Sequence, residues 1–321
     1  MKKNNKLDKI LGQLEKKYAV KKASDIEKTE LIRTGIYPLD YVLSGGFRVC
    51  DGGHCVEFFG GESSGKSTFA LYTVKKFQEE GKVCAIVDAE NSFDPAWAKR
   101  IGVDTENLIV VKPSSLEEFG DILIQIVPEV DLIVVDSIVA LMPEEEGERD
   151  TNQPTMALGA RINALISRKL YKAIATKRTV IIFINQLREK VGVMYGNPYT
   201  TGGGRALKHL YHTRVEFRAG KPIDTGSGDK KERIGVEINL HTVKNKKGSP
   251  HKRAVVDFYW DGKVDNRKSV VFSAIKYGVV EFSGKTYQYK DIKAVGKDNF
   301  FEALDEKYIK EMEKEIWKRL T

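Results

Sequence analysis

Four short runs along the chain are apolar at every position: Val83-Cys-Ala-Ile-Val87, Leu108-Ile-Val-Val111, Leu132-Ile-Val-Val135 and Val180-Ile-Ile-Phe-Ile184. A strand with one wet face alternates apolar and polar residues, whereas a strand covered by helices on both faces does not. Helix-like runs separate these segments between about Ile32 and Val295, so the pattern predicts a mostly parallel α/β sheet. Near the N-terminus Leu7, Ile10, Leu11, Leu14 and Tyr18 recur at helical spacing within a lysine-rich segment. That single apolar stripe must cover either the chain's own core or a neighbouring subunit's. Two stretches break the alternation: residues 143–159, acidic and then turn-rich, and residues 187–204, dense in Gly, Asn, Pro and Thr. Loops of that length inside a compact domain are usually functional or disordered. After Asp265 come shorter runs (Val270-Val-Phe272, Gly278–Phe282, Thr286–Tyr289). A closing helix then carries Leu304, Tyr308, Ile309, Met312, Ile316 and Leu320 on one face, which suggests a small α+β module. The predicted organisation is an N-terminal helical segment over 1–31, a main domain over 32–265 and a small C-terminal domain over 266–321.

Composition narrows this picture only modestly. The 321 residues suffice for one large domain with an appendage. No signal-like segment and no long uncharged apolar run is visible, so the expectation is a soluble, cytoplasmic protein with no membrane partner. Three cysteines without a C-x-x-C pair argue against a disulfide framework or a zinc site. The net charge of +8 suits either a lysine-rich solvated surface or a polyanionic partner.

The chemistry begins at Gly60-Gly-Glu-Ser-Ser-Gly-Lys-Ser-Thr68, which fits G-x-x-x-x-G-K-[ST] between an apolar run and a helix-like one. Gly60, Gly61, Glu62, Ser63, Ser64 and Gly65 would turn successive backbone N–H groups toward an anion, and the following helix adds its positive end. Lys66 would reach β- and γ-phosphates, and the Ser67 hydroxyl would complete a Mg²⁺ shell, with Thr68 closing the motif. Asp136, ending the run Leu132–Val135, stands where such proteins hold Mg²⁺. Glu90, ending Val87-Asp-Ala-Glu90, is the candidate to polarise an attacking water, while Asp88 reads as a turn cap. Gln186, at the end of Phe183-Ile-Asn-Gln186, would touch a γ-phosphate and the following loop together, as a sensor. A strand-tip glutamate and glutamine favour hydrolysis coupled to motion over phosphoryl transfer. The absence of an N-K-x-D element favours ATP over GTP.

Taken together, these motifs with Val87–Pro95, Val134-Val-Asp-Ser137, Phe183–Arg188, Gly192-Val-Met-Tyr-Gly-Asn-Pro198 and Val243-Lys-Asn-Lys246 resemble the bacterial RecA recombinases, in order and in spacing, over nearly the whole chain. The resemblance implies a RecA-type P-loop ATPase core over 32–265 and an oligomerisation role for 1–31. It adds Asp94 and Trp97 at the adenine. It also implies that Lys244 and Lys246, otherwise two solvated lysines, reach a neighbouring protomer's γ-phosphate, making Lys66, Glu90, Gln186, Lys244 and Lys246 the catalytic set. ATP and Mg²⁺ are the implied cofactors. Single-stranded DNA, a homologous duplex, a homo-oligomeric helical filament and an SOS-type repressor are the implied partners. The two long loops become DNA-binding elements: Met156, Arg161 and Arg168 from the first, Arg188, Val191, Gly203, Gly204 and Arg205 from the second. Arginines and glycine-rich amides suit phosphates, and an apolar wedge such as Val191 suits a base step.

Several positions depart from the family pattern. Gly61 replaces a proline, Trp97 a tyrosine, Tyr195 a phenylalanine, and His209 and His251 phenylalanines. Trp260-Asp261 replaces a Tyr-Gly expected beside a neighbour's nucleotide, Asn239 replaces an arginine, and the family's long acidic tail is not seen. These bear on regulation and repressor cleavage more than on the ATPase. Two other readings stay open from sequence: a ring helicase on a related core, which would carry an arginine finger in place of the lysine pair, and a DNA-coating filament without hydrolysis, against which Glu90 speaks.

Overall fold

A computed structural model of the protein describes residues 5–18, 20, 22–25, 28–147, 158–189, 199–226 and 228–320. Its centre is a ten-stranded sheet. The strands are β3 (His54–Gly60), β4 (Cys84–Asp88), β5 (Leu108–Val111), β6 (Leu132–Asp136), β7 (Val180–Glu189), β8 (Tyr199–Thr201), β9 (Thr213–Thr225), β10 (Glu232–Asn245), β11 (Arg253–Tyr259) and β12 (Val264–Asp265); β1 (Glu30–Ile32) and β2 (Phe47–Val49) form a separate ribbon. Across the sheet the order is β12-β11-β10-β9-β3-β7-β6-β4-β5, with β8 paired to the end of β7. The strands from β9 to β5 in that order run parallel, and β10, β11 and β12 are antiparallel additions.

The all-apolar strand sequences follow from covering both faces. Val56, Phe58, Ile86, Val134, Ile182 and Ile184 point to one side, where α3 (Lys66–Glu79) contributes Phe69, Val74 and Phe77 and α4 (Pro95–Ile101) contributes Ala98 and Ile101. The alternate residues Cys55, Ala85, Val87, Ile133, Val135, Ile181 and Phe183 pack under α5 (Leu116–Ile126), α7 (Leu158–Ile174) and α8 (Gly204–Leu210). Two-residue periodicity thus divides one strand between two cores. One expectation fails at the edge: β5 is the last strand of the order, and Ile109 is 45% exposed there. Val83 is likewise exposed, one residue before β4 begins.

The N-terminal stripe does not cover the chain's own core. In α1 (Asn5–Leu14) Leu7, Ile10 and Leu14 are exposed, and Tyr18 just beyond is 65% exposed. Between these elements α2 (Tyr37–Val42) is wholly buried, and a single turn, α6 (Glu144–Gly147), follows β6. After Asp265, the run Val270–Phe272 lies in a helix, α9 (Arg267–Lys276). A three-stranded antiparallel sheet (Glu281–Ser283, Thr286–Tyr289, Ile292–Val295) and the helices α10 (Lys297–Ala303) and α11 (Glu306–Leu320) complete the C-terminal part. α11 buries Ile309, Met312, Ile316 and Trp317. The second long loop is also shorter than predicted, because β7 runs on to Glu189 and β8 pairs back on it, Leu187 with Thr201 and Glu189 with Tyr199. No helix among the described residues is long and apolar enough to cross a membrane.

The ring of Phe58, two residues before the phosphate-loop start, lies 4.9 Å from that of Phe217 and 6.3 Å from that of Phe47, fully buried. Phe58→Ala is expected to cost about 3–5 kcal/mol, read as a lower urea midpoint in equilibrium unfolding with an unchanged slope.

Candidate functional site

The parallel register brings the chemistry to one edge. Gly60 of β3 pairs with Gln186 of β7, and Asp136 of β6 pairs with Asp88 of β4, so the ends of three strands finish beside the point where β7 passes Gln186 on its way to Glu189. This carboxyl edge is where open α/β sheets bind ligands. Gly60 is required by space: a Cβ there would lie 2.0 Å from the Phe217 carbonyl oxygen. Gly65 has φ +87°, the left-handed conformation that turns the loop into α3, and Lys66 is the first helical residue. Gly61, by contrast, has open space around its Cβ position, so the side chain allowed there is not limited by contact.

Within the loop the Lys66 ammonium donates to the Gly61 carbonyl at 2.6 Å and to Ser64 Oγ at 3.4 Å, and Ser64 Oγ donates to the Gly61 carbonyl at 2.8 Å. Burial lowers the Lys66 pKa, opposed by Asp136, Glu90 and Glu62. Ser67 Oγ donates to Asp136 Oδ2 at 2.6 Å. Burial pushes Asp136 up to about 6; the Ser67 hydrogen bond works against the shift and the Glu90 charge adds to it. Two oxygens so placed beside a phosphate cradle fit adjacent ligand positions of Mg²⁺, whose remaining positions would fall to phosphate oxygens and water. Among the described residues no cluster of three or more His, Cys, Asp or Glu side chains could hold a metal by itself.

Glu90 stands beside this pair. The Ala89 and Glu90 N–H groups donate to the Asp136 carbonyl at 2.8 and 3.2 Å, and Ser137 Oγ donates to Glu90 Oε1 at 2.5 Å. Asp88 is buried and accepts from the Ser92 and Phe93 N–H groups, as a turn cap does. Asp94 caps α4, accepting from the Ala96 N–H at 2.8 Å. It lines a cleft of about 290 Å³ with Ser67, Thr68, Phe93, Trp97 and Asp136. Trp97 is half-buried in that wall, a flat face on the side where a base would extend from phosphates at the loop. In the turn Trp260–Gly262 the last residue is tied inward: Tyr72 Oη donates to the Gly262 carbonyl and Gly262 lies against Trp97, while Trp260 and Asp261 are exposed.

Lys244 and Lys246 do not join this edge. Lys244 pairs across β9 with Arg214, which pairs with Glu57, three residues back from Gly60. At about 3.3 Å per residue this is about 10 Å behind the start of the loop, and Lys246 lies farther still. Their ammoniums donate to the Lys208 and His209 carbonyls, at 2.6 and 3.4 Å, at the last turn of α8. Burial, then Lys246 and Arg214, lowers Lys244 to about 8. His209 is exposed at the same place, and His251 sits with its ring 6.2 Å from His241.

On the loop side, Arg188 of β7, Gly203 and Gly204 at the start of α8 and Gly159 of α7 line one cleft of about 370 Å³. Arg161 and Arg168, seven residues apart on α7, and Arg205 are exposed. Met156, Val191 and the motif Gly192–Pro198 lie outside the described residues. Three features had no signal in the sequence. Asn163 is buried in that cleft wall with its Oδ1 unpartnered. Asn185 donates to Glu57 Oε1 at 3.0 Å and to the Gly202 carbonyl, and accepts from the Gln186 N–H. Arg214 pairs with the fully buried Glu57 and donates to Thr201 Oγ1. Only the fold brings these groups together.

Comparison with known proteins decides the ancestry. The RecA N-terminal domain family matches residues 5–265. The RecA proteins of Lactococcus lactis subsp. cremoris and of Thermus thermophilus are 39% and 38% identical to the chain, over 83% and 95% of its length and 69% and 91% of theirs. The RecA protein of Streptococcus pneumoniae is 40% identical over 83% of the chain and 69% of its own.

The chain belongs to the RecA family. RecA membership makes it an ATP-binding and DNA-binding protein of recombination and repair. Gly60–Thr68, Glu90, Asp136 and Gln186 share one edge of the sheet, where β6 and β7 give Asp136 and Ile184 to the first cleft and β7 gives Arg188 to the second.

The Asp136 carboxyl titrates near 4 when unfolded and at about 6 when folded. Its contribution therefore favours folding below pH 4 and is lost as the pH rises through 6, leaving an ionised group that costs on the order of 2–3 kcal/mol. Asp136→Asn should raise the melting temperature of the nucleotide-free protein at pH 8, with the gain shrinking toward pH 5; a gain independent of pH would contradict the assignment.

Proposed function

We propose that the chain is a DNA-dependent ATPase that forms ATP-bound helical filaments on single-stranded DNA and carries out homologous pairing and strand exchange. The observation that carries this reading is the separation of its charges: the phosphate loop lies at one end of the sheet and Lys244 and Lys246 toward the other. In a single protomer those lysines are too far back to meet the nucleotide. In a head-to-tail array the loop edge of one protomer faces the lysine end of the next, and that heterologous contact repeats without closing. Hydrolysis then depends on assembly, as with a cation supplied in trans.

In this arrangement the loop amides and Lys66 bind the phosphates, and Asp94 and Trp97 receive the adenine. Glu90 takes a proton from the attacking water as its oxygen approaches the γ-phosphorus. Lys244 and Lys246 of the neighbour leave the α8 carbonyls and stabilise the charge that gathers on the γ-phosphoryl oxygens. Mg²⁺, held by Ser67 and Asp136, would supply further neutralisation of that charge when bound. Arg161, Arg168, Arg188 and Arg205 and the amides of Gly203 and Gly204 meet DNA phosphates, joined by Met156 and Val191 from the loops. Gln186 links the halves: it neighbours Gly60 in register, and its backbone is held by Asn185, which also holds Gly202 of the second loop. Because coupling is reciprocal, DNA binding and ATP binding each strengthen the other. The segment 1–31 docks its exposed stripe on the adjacent subunit, residues 32–265 form the ATPase core, and 266–321 lie outside as a duplex guide.

Phosphate release from ATP should rise strongly with single-stranded DNA and be lost in both Glu90→Gln and Lys246→Ala. An equimolar mixture of the two variants should regain activity, because about a quarter of the joints then pair an intact Glu90 with an intact Lys246. Silence of the mixture would sink trans completion, and hydrolysis indifferent to DNA would sink the recombinase reading.

A further inference from the structure

Ser137 follows the metal-side aspartate in the chain, has no surface exposure, and donates its hydroxyl to Glu90 Oε1 at 2.5 Å. Its carbonyl accepts from the Ala140 N–H at 3.1 Å, in the short turn Ile138–Ala140. The serine is thus fixed by its own backbone before it touches the glutamate. Glu90, by contrast, is an exposed side chain just past a strand tip, with several rotatable bonds whose freedom must be lost to hold its carboxylate in one place. Its main chain is anchored on the same β6 tip through the Ala89 and Glu90 N–H groups.

We propose that Ser137 is the positioning residue for the water-polarising carboxylate. The hydroxyl occupies Oε1, selects one rotamer of Glu90 and leaves Oε2 for the water. A carboxylate has acceptor sites to spare for both. Holding a reacting group within a few tenths of an ångström by a neighbour that is itself locked is what efficient general-base geometry requires. The inference rests on Glu90 having that role, and the test separates the two.

Steady-state hydrolysis with saturating single-stranded DNA should show kcat about tenfold lower in Ser137→Ala, the loss expected for one charge-assisted hydrogen bond, with KM for ATP unchanged. Ser137→Cys, which keeps the volume but weakens the donor, should fall between wild type and alanine, and it carries the test where alanine disturbs folding. A readout free of turnover is the ¹³C resonance of the glutamate carboxyls in the nucleotide-free protein. The signal absent from Glu90→Gln should shift in both Ser137 variants. Wild-type kcat in Ser137→Ala beside a dead Glu90→Gln would overturn the role of Ser137 and leave Glu90 standing. An active Glu90→Gln would overturn both, and a loss of kcat in Ser137→Ala with the Glu90 ¹³C resonance unmoved would reduce Ser137 to a packing residue.

Discussion

Parallel pairing in register is the constraint from which the site follows. Backbone hydrogen bonds between β3 and β7, and between β6 and β4, place Gly60 opposite Gln186 and Asp136 opposite Asp88. A slip of one residue in either pair would turn its side chains to the opposite face and exchange the two hydrophobic cores. The apolar content of those strands therefore does more than stabilise the sheet. It specifies which side chains finish at the carboxyl edge and toward which face they project, so the placement of a loop lysine, two carboxylates and an amide is inherited from packing many residues away.

The same register has a second effect on the antiparallel flank. β10 runs back along β9, so the residues at its end are carried toward the opposite end of the sheet from the phosphate loop. Lys244 and Lys246 are near neighbours in sequence of nothing that binds nucleotide, and they are satisfied by carbonyls at the end of α8. A helix C-terminus is a favourable resting place for an ammonium. Those carbonyls hold the ammoniums in place without cancelling their charge, so that end of the chain stays cationic, with Lys246 and Arg214 pressing on Lys244.

Much of the fold was legible because periodicity is a local property. The four all-apolar runs marked buried parallel strands, and the phosphate loop announced itself by spacing. Ile109 escaped because an edge strand and a central strand read alike until the order of strands is known. Val270–Phe272 is only a short apolar run, too brief to show a period, and α9 buries its Val270 and Val271 in the core. In the site, Lys66, Ser67, Asp136, Glu90 and Gln186 were visible as motif residues at strand ends. Ser137, Asn185, Glu57 and Arg214 were not, since each matters through a partner between 13 and 157 positions away. The resemblance to RecA supplied the lysine pair, which no property of Val-Lys-Asn-Lys would have singled out.

Lys66 offers a final consequence. Its ammonium is already folded into the loop, bonded to the Gly61 carbonyl and to Ser64, whose hydroxyl in turn ties back to the same carbonyl. The loop is thus a closed ring of contacts before any phosphate arrives. Nucleotide entry becomes an exchange of one set of acceptors for another, and the entropy of ordering this segment has been spent during folding of the chain. A receptor of this kind meets an anion with its backbone already ordered, and the lysine side chain is the part that must let go and turn.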